Sequence, residues 1–231
     1  MRIAMWSGPR NLSTAMMYAF GARADFSVMD EPFYAPYLAA SGADHPMAAQ
    51  IIGAHETDPA KVAQICLRDG TPHLYMKHMP HHMISSFPMD WAKDCINIHL
   101  IRHPARVIAS YAAKREAPTL EDVGFMQQTD LYRRLGGIVI DSTDIRARPE
   151  AMLRALCEAI GLAFDPSMLS WPAGPRSEDG IWARHWYGAV HRSTGIDGAE
   201  GPLPDVLPAL KPVLDAALPH YYGLYQHRLS P

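Results

Sequence analysis

The sequence is poor in the features that mark several large protein classes. It has three cysteines in 231 residues, Cys66, Cys95 and Cys157, odd in number and far apart. No Cys-x-x-Cys pair occurs, so neither a disulfide framework nor a zinc site is expected, and a reduced, cytoplasmic setting fits best. No apolar run approaches the roughly 20 residues of a membrane span. The first apolar stretch is interrupted by Gly8-Pro9-Arg10, too early for a signal peptide. Positive charge is not in excess: 21 Lys and Arg stand against 24 Asp and Glu, a net charge of −3. A nucleic-acid partner is therefore not expected, and any anion must be held by local placement. The chain has no internal repeat and no low-complexity tract, and nothing in it bears on oligomeric state.

What is present is an alternation. Short runs rich in Ile, Val and Leu lie at residues 2–5, 26–29, 73–76, 96–101 and 138–140. Between them lie segments with helical spacing, at 12–22, 59–68, 105–115, 120–135 and 149–160. The last of these opens on Pro149 and stops at Gly161, a start-and-stop pair. Alternation of this kind predicts an α/β domain with a parallel sheet of about five strands and crossover helices. No break in composition divides the chain, so residues 1–231 read as a single domain. From about residue 170 to 201 the sequence is irregular and dense in Gly, Pro, Trp and His, with a final helix expected at 205–218.

In such sheets, ligands gather beyond the carboxyl ends of the strands. The first strand is followed by Gly8-Pro9-Arg10-Asn11-Leu12-Ser13-Thr14 and then a helix. A turn that opens a helix gathers unpaired N–H groups and the positive end of the helix dipole, which together bind anions. Arg10 adds a forked donor, and Ser13 and Thr14 add short ones. The lysine of a nucleotide triphosphatase loop is missing, since Ser13 and Thr14 stand at its Gly-Lys positions. This argues for a phosphate-like group held without a metal. Later strands are followed by Asp30-Glu31-Pro32, Lys77-His78-Met79-Pro80, Arg102-His103-Pro104 and Asp141-Ser142-Thr143-Asp144. Arg102 ends a buried strand, where a charge needs a partner, and Ser110 lies two turns into the next helix. His78 carries the usual group for proton transfer near neutral pH. His81 and His82 lack the further ligand spacing of a metal site.

Three of these elements, in order, resemble the sulfotransferases that use 3′-phosphoadenosine 5′-phosphosulfate (PAPS). Residues Gly8 to Thr14 are similar to their 5′-phosphosulfate loop. Lys77-His78-Met79-Pro80 is similar to the segment that carries the base in the cytosolic branch. Arg102 and Ser110, eight residues apart, look like the 3′-phosphate motif. Ser142-Thr143-Asp144-Ile145 is similar to a later Tyr-Glu-Asp-Leu segment, with Ser142 at the tyrosine that contacts adenine. Arg192-Ser193-Thr194-Gly195 is the nearest match to a C-terminal Arg-Lys-Gly segment. Asn11-Leu12 stands where the family prefers glycine, and Arg10 where it has a catalytic lysine. The resemblance spans roughly residues 1–170.

The resemblance implies a P-loop-type, three-layer fold and sulfuryl transfer from PAPS, as co-substrate and without a metal, to a hydroxyl or amine of a small-molecule acceptor. It implies that the loop residues Gly8 through Thr14 hold the phosphosulfate, with Arg10 neutralising the leaving group. Arg102 and Ser110, with Ser142 and Arg192, would bind the rest of the nucleotide. His78 would take the acceptor's proton, with Glu31 as rival base, and Lys77 would orient the sulfonate. Two other readings stay open: a nucleotide-binding relative that has lost transfer, and an atypical P-loop phosphotransferase dependent on magnesium.

Overall fold

The computed structural model describes residues 1–68, 73–113, 118–196 and 198–230. Strands β1 (Arg2–Ser7), β2 (Phe26–Asp30), β3 (His73–His78), β4 (Ile96–Ile101) and β5 (Ile138–Asp141) form one sheet in the order β2-β3-β1-β4-β5. Every neighbouring pair is parallel. The helices are, in chain order, α1 (Ser13–Gly21), α2 (Tyr34–Ser41), α3 (Ala48–Ala54), α4 (Pro59–Cys66), α5 (Pro104–Ala112), α6 (Leu120–Val123), α7 (Phe125–Leu135), α8 (Ser142–Ala147), α9 (Pro149–Ala159), α10 (Ala183–Trp186) and α11 (Lys211–Tyr225).

Side chains alternate across the sheet. Ile3 and Met5 of β1 join Tyr75 of β3 and Leu100 of β4 in a core covered by α1 and α9. Ala4 and Trp6 of β1 join Met76 of β3 on the other face, against α4, Trp91 and Leu131 of α7. A further cluster packs α5 and α11 beside β4 and β5. The result is the expected three-layer α/β architecture, with a parallel sheet buried on both faces.

All five strands are where the apolar runs placed them, but four extend one or two residues further. The additions are polar: Asp30, Lys77, His78 and Asp141, with Trp6 and Ser7 on β1. Ladder hydrogen bonding carries these residues past the apolar run, so the functional rim is part of the sheet. The segment 120–135 is two helices, because Gly124 takes φ +70° and ends α6. The helix expected at 105–115 begins at Pro104 and ends at Ala112, and residues 114 and 115 lie outside the described residues. The final helix starts later than expected, at Lys211, after a 3-10 turn over Pro208–Leu210, and it continues through Pro219 to Tyr225.

Neighbouring strands β1 and β4 send the chain in opposite directions across the sheet, β1 toward β2 and β4 toward β5. That divergence opens a crevice beyond their carboxyl ends. The segment after residue 170 folds back over it. Gly180 N donates to Asp30 Oδ2 at 3.0 Å, and Tyr18 Oη donates to Asp179 at 2.8 Å. Trp171 packs edge-on against Tyr18, and Trp182 is buried against Tyr34.

Candidate active site

A cavity of about 280 Å3 occupies the crevice. Its walls include the loop from Pro9 to Thr14 together with Glu31, Lys77, Arg102, Ser110 and Ser142. Residues far apart in the sequence meet here because each follows a neighbouring parallel strand.

The loop has a defined local construction. Gly8 is required by close approach, since a Cβ there would stand 2.7 Å from the Val123 carbonyl oxygen at the end of α6. Arg10 adopts φ +54°, a left-handed conformation uncommon for a side chain of its size. Asn11 supplies what a glycine turn would otherwise need. Its Oδ1 accepts from Leu12 N at 2.8 Å, and its Nδ2 donates to the Leu100 carbonyl at 3.0 Å, tying the loop to β4. Gln128 Nε2 donates to the Trp6 and Leu100 carbonyls, both at 3.0 Å, and holds the ends of β1 and β4 together. Helix α1 carries no side-chain cap at its N-terminus, and its first-turn residues Ser13, Thr14 and Ala15 line the cavity. Arg10 Nε donates to Ser110 Oγ at 3.0 Å, and Arg102 Nη1 donates to the Arg10 carbonyl at 2.6 Å. Burial, and then the neighbouring Arg102, lower the Arg10 guanidinium from its ordinary value.

A second polar cluster forms the opposite wall. Lys77 Nζ lies 3.1 Å from Asp30 Oδ1, 2.6 Å from Glu31 Oε1 and 2.5 Å from Tyr187 Oη. These contacts use all three ammonium donors. Tyr187 Oη donates to Asp30 at 2.7 Å, and Trp182 Nε1 donates to Tyr187 Oη at 3.2 Å. Burial raises the Glu31 carboxyl above its usual range, against the lowering effect of Lys77. Burial alone would lower the Lys77 ammonium, but Asp30 and Glu31 outweigh it and hold it above its ordinary value. Glu31 itself sits at φ +42°. Its second oxygen, Oε2, stands 4.0 Å from His82 Nδ1. His82 stacks on Tyr34 with centroids 4.5 Å apart, and burial keeps His82 neutral, well below its ordinary value. Trp186 and Tyr187 complete this wall from the C-terminal segment.

His78 is not in the cavity. Strand β3 alternates, so Lys77 points to one face and His78 to the other. His78 lies beside Trp6 in the parallel register and stacks on it with centroids 4.7 Å apart. Trp91 and Phe33 enclose the ring at 5.0 and 5.9 Å. Neither of its nitrogens has a hydrogen-bond partner among the described residues, and burial pushes its pKa down to about 3. The structure thus places His78, expected to take the acceptor's proton, in the aromatic core and away from the cavity residues. Arg192 is likewise exposed and off the cavity wall, where Ser193, Gly195 and Ile196 of the same segment do contribute. Lys77 is too fully engaged by its neighbours to reach a further anion. No cluster of metal-ligating side chains exists among the described residues. No helix among them is long and apolar enough to cross a membrane.

Sequence reasoning missed Arg106, Arg146 and Glu200. Arg106 could have been found, since it lies one turn beyond Arg102 at the start of α5. Arg146 bears the same relation to Ser142 in α8. Glu200 had no local signal.

The chain is thus a parallel α/β protein whose central strand ends in a loop of anion-suited donors, with a buried carboxylate in the same cavity. The chain belongs to the sulfotransferase family: residues 1–228 match the family described as "Sulfotransferase domain". Two Arabidopsis thaliana proteins, "Branched-chain-amino-acid aminotransferase-like protein 2" and "protein 1", are 33% and 34% identical over 97% of this chain. The chain spans 41% and 42% of their lengths. Among solved structures, the "Sulfotransferase Domain from the Curacin Biosynthetic Pathway" shares the fold with a TM-score of 0.55 at 15% identity, covering 93% of this chain and 96% of that one. A sulfotransferase from Alicyclobacillus acidocaldarius gives 0.54 at 12% identity, covering 99% and 96%.

Proposed function

We propose that this chain transfers a sulfuryl group from PAPS to a hydroxyl or amine of a small acceptor. The observation that supports this best is the polarity of the cavity beyond the strand ends. Anion donors (Arg10, the α1 N-terminus, Arg102) line one side and the buried carboxylate of Glu31 lines another. When bound, PAPS supplies the activated sulfuryl group. The first-turn N–H groups and hydroxyls of Ser13 and Thr14 hold its phosphosulfate end. Arg10, fixed by its backbone and by Ser110, neutralises charge that grows on the leaving phosphate, with little reorganisation. Arg102 lies beyond it, toward the nucleotide. Glu31 takes the proton from the acceptor as the acceptor oxygen or nitrogen bonds to sulfur and the sulfur–phosphate oxygen bond breaks. Burial makes Glu31 a better base than a surface carboxylate, while Lys77 favours its ionised form. Lys77 is thus a positioning residue for Glu31.

Labelled sulfate from PAPS, followed into pooled hydroxyl and amine acceptors, tests the reading. Transfer is expected in the wild type. It should fall by about a hundredfold or more in Glu31→Gln, the range of a lost general base. Calorimetry with the desulfonated nucleotide (PAP), ADP and ATP-magnesium tests the donor: tight PAP binding supports it, and preference for ATP-magnesium refutes it. PAP binding with no transfer to any pool would make the chain a nucleotide-binding relative instead.

A further inference from the structure

Behind Arg102 and Arg146 of the cavity wall the chain supplies an anion of its own. The Glu200 side chain is only 6% exposed. Its Oε1 is paired with Arg102 Nη2, and Arg146 Nε stands 3.9 Å from the same oxygen. Its Oε2 lies 3.0 Å from Arg106 Nε and 3.5 Å from Thr143 Oγ1. The donors come from separate elements: the end of β4, α5 and α8. Arg106 also donates to the Gly201 carbonyl.

One carboxylate does not use this donor set fully. Arg102 Nε is buried without a hydrogen-bond partner among the described residues, and so is the Ser142 hydroxyl, which lines the cavity. Buried donors left in this state are costly, so their presence points to a better acceptor. A forked guanidinium suits carboxylate and phosphate alike. A phosphate monoester offers three oxygens and close to two charges, where a carboxylate offers two oxygens and one charge.

We propose that Glu200 is an internal competitor for Arg102, Arg106 and Arg146, and that it leaves when a phosphate monoester enters beside Ser142. The proposal rests on the donor reading above and names the 3′-phosphate as the group taken. A nucleotide without a 3′-phosphate leaves Glu200 in place. Glu200 thereby keeps weaker anions off the arginines and lowers the affinity for the spent nucleotide.

The test is calorimetry of the full chain against PAP and 5′-AMP at one fixed salt concentration. Glu200→Gln is expected to tighten PAP on the order of tenfold, because the competing state is weakened, and to leave 5′-AMP unchanged. Arg106→Ala is expected to weaken PAP about tenfold or more with no effect on 5′-AMP. Glu200→Ala provides a second variant with the same expectation as Glu200→Gln. Unchanged or weaker PAP binding in both Glu200 variants overturns the competitor role, as does equal tightening of 5′-AMP. An Arg106→Ala protein that binds PAP normally overturns the exchange at Arg106. If neither the wild type nor any variant binds PAP, the donor reading itself has failed, and this proposal falls with it.

Discussion

Replacing His78 by phenylalanine separates a buried ring from a catalytic one. The His78 side chain stacks on Trp6 and is enclosed by Trp91 and Phe33. Its pKa is pushed from 6.5 down to about 3 by burial. A histidine depressed in the folded state contributes stability that is present above its unfolded pKa and lost as pH falls through it toward the folded value. For an unfolded pKa near 6.5, protonation stabilises the unfolded chain by about 0.2 kcal/mol at pH 7 and by about 2 kcal/mol at pH 5. His78→Phe removes that loss. Its stability relative to wild type should therefore rise by about 2 kcal/mol between pH 7 and pH 5, whatever constant offset the larger ring adds. His81, His82 and His99, also lowered by desolvation, are common to both proteins and cancel in the difference. Urea melts at the two pH values measure it. The same variant should keep sulfuryl transfer within about threefold, because the ring lies off the cavity. A pH-dependent gain under about 0.5 kcal/mol would show that His78 is not held neutral in the core. A fall in kcat/KM of about a hundredfold in a folded variant would return His78 to the role of base and remove Glu31 from it.

Lys77→Met should cost about 3–5 kcal/mol at pH 8 in urea melts, since Asp30 and Glu31 are left buried without their cation. The deficit should shrink as pH falls, because the burial that already raises Glu31 then lets it take up a proton. A deficit that stays constant with pH would contradict the charge argument. Arg10→Ala should lower kcat by about 10²–10³ with a smaller change in PAP affinity, the pattern of a group acting mainly on developing charge. An equal loss in both would make Arg10 a binding residue only. Gly8→Ala should destabilise by about 1–3 kcal/mol by forcing a methyl against the Val123 carbonyl, and should weaken PAP as the loop shifts. A variant of wild-type melting temperature would show that α6 yields easily at this contact.

The sheet and the position of the cavity were legible in the sequence because parallel strands are continuous apolar runs and their ends collect polar residues. Asp30, Lys77 and Arg102 follow such runs directly. What the runs could not convey was which way each side chain turns. Lys77 and His78 are adjacent, both polar and both at a strand end. Only the pairing of β3 with β1, which sets His78 beside Trp6, shows that one faces the cavity and the other the aromatic core. The Asn11-Leu12 departure from a glycine turn was equally opaque. Its reason is a side-chain hydrogen bond from Asn11 to Leu100, across 89 residues of sequence. Glu200 reaches the arginines from an irregular segment, where no periodicity marks an inward-facing residue.

Glu31 in the cavity wall and Glu200 behind its arginines differ in what holds them, and this decides what each can do. Glu31 follows directly on Asp30, whose register partner in β3 is Lys77. Its backbone N–H donates to the Lys77 carbonyl at 2.9 Å, so both members of the ion pair are fixed by the sheet. Separating them would mean breaking strand pairing in the middle of the core. A carboxylate held so firmly keeps its geometry through a reaction, which suits a base whose proton affinity must stay tuned. Glu200 stands on a stretch with neither helix nor strand, and only its side chain and its neighbour's carbonyl engage the arginines. Its removal breaks no ladder. An incoming phosphate that offers the same guanidiniums more charge can exchange with it at modest cost. The sheet thus makes the Glu31 pairing permanent and leaves the Glu200 pairing exchangeable, which is the asymmetry a transferase needs if its acceptor chemistry stays fixed while its nucleotide enters and leaves.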